Sequence, residues 1–237
     1  MNKWLKGFLI FFGIVVIAFA TARLTRALVW YTMPTPANEP TLKTGTTVVA
    51  SSLKSPKRGN FIVFKSALTD SFASVGSDEE RHGDLYIKRL CGVPGDVIEM
   101  NGGELFVNHQ NLDANYDINH NYYVSAKELA LIDETDLPQD GQIQTLPAGD
   151  SILVPLSKTL FNKYKNRIHL KKYVSSDGTI WNRSGDERIT WTIDNFGPLI
   201  VPEGQYLVLG DNRHNSLDSR YVGFIKKSDC KATVLNK

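Results

Sequence analysis

Gly210-Asp211-Asn212-Arg213-His214-Asn215-Ser216-Leu217-Asp218-Ser219-Arg220-Tyr221-Val222-Gly223 follows directly on the apolar run Tyr206-Leu207-Val208-Leu209. The apolar run has the composition of a strand, and Gly210, Asp211 and Asn212 are good turn formers. Taken alone, the stretch is a polar turn, and Asp218 with Arg220 is a surface ion pair worth little. What surrounds it decides whether it is more than that.

The surroundings read as β structure. Residues 46–50 and 61–64 are β-rich runs bounded by Gly45, Pro56 and Gly59, and residues 85–90 form another, ended by the turn cluster Gly92-Val93-Pro94-Gly95-Asp96. Residues 97–100, the tripeptide Asn101-Gly102-Gly103 and residues 104–107 predict a hairpin. Further strands are expected at 151–154, 188–191, 206–209 and 231–234. Helix signals are weak: 156–167 has a rough helical period and 125–131 suits a turn or two. Residues 66–84 are polar and read as a mobile loop. Residues 116–186 mix element types and read as an insertion. The expected architecture is mostly β: an antiparallel β-sheet catalytic-type domain (27–115 and 187–237), a smaller inserted cap domain (116–186), and an N-terminal single transmembrane helix (7–26) after a six-residue cytoplasmic tail.

The bulk numbers fit a folded chain. There are 237 residues, 42% of them hydrophobic, with a net charge of only +2. That balance gives no electrostatic case for nucleic acid, which needs a concentrated basic face. The basic run at 163–172 is interleaved with Tyr164, Ile168 and Leu170 and reads as an amphipathic surface segment, or alternatively as a contact for anionic lipid. Cys91 and Cys230 are too few for a disulfide framework, and their pairing is not legible. His82, His109, His120, His169 and His214 lack metal-ligand spacing, so surface or hydrogen-bonded imidazoles are expected, with no metal and no cofactor.

Residues 7–22 are uncharged and mostly apolar between Lys6 and Arg23. Sixteen helical residues rise about 24 Å, short of the ~30 Å hydrocarbon core, but Lys6 and Arg23 can snorkel and Trp4 suits the headgroup layer. The run reads as a membrane anchor. It also reads as a cleavable signal, with Ala18-Phe19-Ala20 as the processing site. Either reading places the bulk of the chain outside the cytoplasm or on a membrane surface. Residues 27–31 read either as a stretch grazing the bilayer or as a first strand.

Four segments in order carry a resemblance: Met33-Pro34-Thr35-Pro36-Ala37-Asn38-Glu39-Pro40-Thr41-Leu42; residues 58–64; Tyr86-Ile87-Lys88-Arg89 with the turn 92–96; and residues 210–223, preceded by Asp194-Asn195-Phe196-Gly197-Pro198-Leu199. The chain resembles the bacterial type I signal peptidase family, serine/lysine-dyad membrane peptidases that remove signal peptides from exported precursors at the membrane surface. The resemblance implies that Lys88 is the general base, working as a neutral amine lowered in pKa by an apolar site. It implies that Ser216 orients that amine and that Asp218 and Arg220 pair to hold the loop, with Asp211 and Arg213 as further supporting residues; the turn formers Asp211 and Asn212 shape the backbone. The Thr35 hydroxyl and the residue-37 N–H would form the oxyanion hole. It further implies signal-peptide-bearing precursors and membrane lipid as partners, a single-pass membrane location with the bulk of the chain extracytoplasmic, and a possible place beside secretion machinery.

The chain departs from the family's Ser-Met-x-Pro motif, which here is Ala37-Asn38-Glu39-Pro40. A methyl group stands at the nucleophile position, and a polar amide replaces an apolar side chain next to the base. Two changes in one motif point to natural divergence rather than to a single inactivating substitution. Thr35 and Thr41 lie too far along the backbone to take the serine's place. The expectation is a family member impaired in catalysis that retains peptide binding. The alternatives are an active endopeptidase with an atypical nucleophile, and a non-catalytic accessory partner in protein export or surface assembly.

Overall fold

The computed structural model describes residues 2–25, 27–75, 80–138, 141–146, 151–184 and 191–236. In chain order, helix α1 (Lys3–Leu24) is followed by strands β1 (Val29–Thr32), β2 (Thr47–Ser51) and β3 (Phe61–Phe64), helix α2 (Ala67–Ser74), and strands β4 (Tyr86–Gly92), β5 (Val97–Asn101), β6 (Glu104–Val107), β7 (Gln110–Asn111) and β8 (Asn119–Ser125). Helix α3 (Ala126–Leu129), β9 (Gln144–Thr145), β10 (Ser151–Ser157), helix α4 (Lys158–Tyr164) and β11 (Lys171–Lys172) come next. The chain closes with β12 (Phe196–Ile200), β13 (Gln205–Leu209), helix α5 (Ser219–Val222), β14 (Ile225–Lys226) and β15 (Cys230–Val234).

The fold is mostly antiparallel β. A seven-stranded sheet has the order β1-β2-β15-β3-β4-β13-β14, and a four-stranded sheet has the order β12-β5-β6-β7. A third sheet, β11-β8-β10-β9, lies wholly within residues 119–172. Strand β4 is central because its residues are apolar on both faces. Ile87 and Leu90 are buried in two clusters on opposite sides of the sheet, one with Phe61, Val63 and Val48, the other with Ile62, Phe64 and Val208. The predicted hairpin forms with Asn101 opposite Glu104, so Gly102 and Gly103 are its two loop residues, at φ of 54° and 79°. Both central positions of such a turn need positive φ, which only glycine reaches without strain.

Several expectations are corrected. Residues 66–84 are not simply a loop. Ser66 caps α2 by accepting the Thr69 N–H at 3.2 Å, and buried Asp70 takes the Tyr86 hydroxyl at 2.8 Å and the Gly83 N–H at 2.7 Å. The helical period at 156–167 begins late, because Leu156 and Ser157 still belong to β10. Residues 29–32 are a strand, paired with 47–50, which selects the first-strand reading for this part of the 27–31 run. Residues 188–190 of the expected strand at 188–191 lie outside the described residues. Cys91 and Cys230 are both free, on strands separated by β3. His120 departs from the expected surface or hydrogen-bonded histidine: it is buried, and its Nδ1 has no partner.

Helix α1 has 22 residues, more than the uncharged run, because the Lys3–Lys6 turn and Arg23-Leu24 continue it. At 1.5 Å per residue it rises about 33 Å, enough to cross the hydrocarbon core. It is apolar, with mean hydropathy 2.3 over its best window, and none of it is buried in the protein. It fits a membrane span.

Candidate active site

The segment after β1 ends in extended backbone at Thr35 (φ −136°, ψ 155°), then turns through a single 3-10 turn, Pro36–Asn38. Proline suits the first position, where an N–H would have no partner within the turn. The turn buries Ala37 and Asn38 and leaves Thr35 exposed. The N–H of residue 37 stands in this first turn, where helical geometry leaves donors free.

The stretch 210–220 folds against this turn. The Ala37 carbonyl accepts the Asn212 N–H at 3.1 Å, and the Asn212 side-chain amide donates to the Pro36 carbonyl at 3.2 Å and to Gln142 Oε1 at 2.8 Å. A Cβ on Gly210 would collide with the Ala37 carbonyl oxygen and with Ser216 Oγ. Glycine there is what allows the loop to close on the turn. Asn38 ties the turn to β4: its amide Nδ2 donates to the Ile87 carbonyl at 2.8 Å. Lys88, the next residue of β4, faces the charges of Asp218, Arg220 and Asp211.

Lys88 is only 6% exposed. Burial lowers its pKa to about 8, against the pull of Asp218 and Asp211 toward the charged form. An amine of that pKa is half neutral near pH 8 and able to take a proton. The Ser216 hydroxyl is buried and has no hydrogen-bond partner, so the bond to the lysine amine implied by the resemblance is not formed here. Packing against Gly210 places that hydroxyl toward the residue-37 turn.

The charged residues of the loop are paired inside the protein, not on its surface. Arg220 donates from Nε to Asp218 Oδ1 and from Nη2 to Oδ2, both at 2.9 Å, and from Nη2 to the Arg213 carbonyl at 2.6 Å. Asp218 also takes the Gly210 N–H at 3.1 Å, which closes the loop on itself. Burial disfavours the charge of Asp218, but Arg220 holds its carboxyl below the usual range. Arg213 forms a two-pronged pair with Asp113, and Asp211 forms one with Arg89, at 2.8 and 2.5 Å. Arg89 is held between the rings of Phe61 and Tyr116, 4.3 and 4.0 Å from their centroids. Thr41 donates to Asp211 at 2.5 Å. His214 accepts the Asn121 N–H on Nδ1, so its proton is on Nε2, which donates to Asp194 at 2.8 Å.

Thus Ala37, Lys88, Ser216, Asp218 and Arg220, predicted from distant stretches, converge on one corner, and Asp211 and Arg213 brace it from outside. Arg89, Asp113, Gln142 and Asp194 are partners that sequence reading missed. Arg89 had one signal, a second cation inside an apolar strand. Asp113 lies in a polar stretch with nothing to mark it.

Comparison with known proteins identifies the family. The family described as "Signal peptidase, peptidase S26" matches residues 1–235. Signal peptidase I of Streptococcus pneumoniae serotype 4 is 26% identical over 236 residues, covering 97% of this chain and 91% of the relative. Signal peptidase I of Buchnera aphidicola subsp. Baizongia pistaciae is 26% identical over 244 residues, covering 97% and 75%. A probable signal peptidase I-2 of Synechocystis is 26% identical over 199 residues, 82% of this chain, which spans only 56% of that relative's length. Among solved structures, a signal peptidase I from Enterococcus faecalis V583 is 24% identical, covers 77% of this chain and 98% of that one, and has a TM-score of 0.36. With residues 1–235 of 237 matched, the chain belongs to the peptidase S26 signal peptidase family.

Proposed function

We propose that this chain acts on the outer face of a membrane, anchored by α1, where it engages the signal peptides of exported precursors but is impaired in cleaving them. The observation that carries the reading is an alanine at position 37, in the turn that packs on Gly210 and is tied through Asn38 to β4 next to the buried Lys88. A buried amine of lowered pKa is the base such a reaction needs, and among the described residues no hydroxyl donates to it. The nearby hydroxyls are otherwise engaged or misplaced. Thr41 is bonded to Asp211, Ser216 Oγ is sealed from solvent, and Thr35 is exposed two residues upstream. Thr35 and the residue-37 N–H are the groups that would stabilise an oxyanion, and neither depends on the missing serine.

The test is cleavage of a lipid-embedded precursor by the native chain and by Ala37→Ser. Loss of a nucleophile in such systems costs roughly 10⁶ in rate, so the native chain is expected to give no measurable product while still binding the precursor. Rapid native cleavage would replace this reading with that of an active peptidase using another nucleophile. Absence of both binding and cleavage in both proteins would leave the accessory-partner reading.

A further inference from the structure

Asn38 sits where it can obstruct the peptide, and the argument begins with the direction of the β4 backbone. The N–H and carbonyl of Leu90 bond to Asn60 and Gly59, both at 2.8 Å, on the side of β3. In an antiparallel ladder successive residues turn their backbone groups to opposite edges. Lys88 therefore addresses β3 as Leu90 does, whereas Arg89 and Ile87 address the β13 side. Strand β13 pairs with Arg89 through Leu209 and goes no further. The chain then leaves the sheet at Gly210. Beside Ile87, the residue before Lys88, no strand among the described residues pairs with the β13 edge of β4. The Ile87 carbonyl is the acceptor that an added extended strand would use for its own N–H.

That acceptor is taken. Asn38 Nδ2 donates to it at 2.8 Å, and the side chain is 4% exposed. Asn38 Oδ1 is buried and bonded to nothing. A carboxamide held with one end satisfied and the other orphaned is an unusual use of a buried polar group, because the orphaned end costs free energy without return to the fold.

We propose that Asn38 is a built-in plug: its carboxamide occupies the edge of β4 at Ile87 that an extended signal-peptide segment must pair with, making a second block to turnover that is independent of Ala37. This rests on the reading that the site accepts such segments. A peptide entering that edge displaces the amide and strands both of its polar ends in a dry corner. The penalty falls on binding, so it is read in affinity and KM rather than in kcat.

The experiment compares four full-length proteins in detergent micelles: native, Asn38→Leu, Ala37→Ser and Ala37→Ser/Asn38→Leu. Leucine keeps the branched shape, though larger, and removes the donor, and Asn38→Ala serves as a second variant should leucine unfold the turn. The probe is a fluorescent synthetic signal peptide with small residues flanking its cleavage site. Asn38→Leu is expected to tighten its Kd at least tenfold over native, and the double variant to lower KM about tenfold relative to Ala37→Ser with kcat within threefold. Equal affinity of native and both Asn38 variants, with the peptide bound by all, overturns the plug and leaves the binding function standing. Failure of every protein to bind overturns both.

Discussion

Two neighbouring regions treat their polar groups in opposite ways. In the brace formed by residues 211, 213, 218 and 220, each carboxylate or guanidinium has a charged partner: Asp211 with Arg89, Arg213 with Asp113, Asp218 with Arg220. In the corner beside it, Asn38 Oδ1 and Ser216 Oγ have no partner, and Lys88 is held at a lowered pKa by burial. Charges with a charged partner stay ionised and fix geometry, even where one nitrogen, Arg220 Nη1, is left without a hydrogen bond. Groups left short of partners are held in reserve against the fold's own stability, which is where chemistry or recognition resides. The brace is scaffold and the corner is site, and the distinction yields opposite signs for mutations only a few residues apart.

The largest effect is expected in the brace. Asp211→Ala strands the Arg89 guanidinium between two rings with its carboxylate gone, and removes the acceptor for Thr41. Breaking a buried pair on one side costs about 3–5 kcal/mol, read as a lowered midpoint in denaturant unfolding. A loss under about 1 kcal/mol would show that water replaces the carboxylate and that the brace is not what holds the loop.

Lys88→Met is expected to move stability the other way. The folded-state pKa of about 8 lies below the ordinary value of 10.5. Below pH 8 the unfolded chain and the folded chain are both protonated there, and the folded state carries the full cost of a buried charge. Between pH 8 and 10.5 the unfolded chain binds more protons, so the native protein gains stability as pH rises. About 2.5 pKa units correspond to roughly 3 kcal/mol. Methionine should therefore stabilise by about that amount at pH 6–7, with the gain fading as pH approaches 10.5. A gain independent of pH would mean that the amine is hydrated and the corner is not dry.

Where these two regions were legible in the sequence follows from the physics of each. The strands β3, β4 and β13 announce themselves by apolar runs and turn clusters, since a central strand buried on both faces has few ways to be composed. The loop 210–220 was legible only through its resemblance to a family. On its own terms it read as a polar turn, because sequence does not reveal that Asp218 and Arg220 are enclosed. Of the partners, Arg89 left only the trace of a second cation in an apolar strand, and Asp113 left none, because tertiary proximity is not written locally. The same holds for α2, whose residues read in sequence as part of a mobile loop: the reason the helix stays in place, Asp70 held by Tyr86 and Gly83, is a tertiary one. Asn38 was read as a polar intruder beside the base, and only the fold shows its amide engaged with β4.

The smallest effect is the sharpest discriminator, because it pits two hydroxyls against each other across the boundary. Thr41 donates to the Asp211 carboxylate, a hydrogen bond to a charged group worth about 1.5–3 kcal/mol, so Thr41→Val should cost that much. Ser216 Oγ, more deeply buried than Thr41, bonds to nothing, so Ser216→Ala removes a buried polar atom that was never satisfied. It should leave stability unchanged or raise it by up to about 1 kcal/mol. Equal destabilisation by the two variants would mean that Ser216 finds a partner in solution. The Lys88 amine is the partner the family resemblance implies, and the corner then belongs to the satisfied scaffold after all. Opposite signs would place the boundary between brace and site between residues 211 and 216, within a single loop.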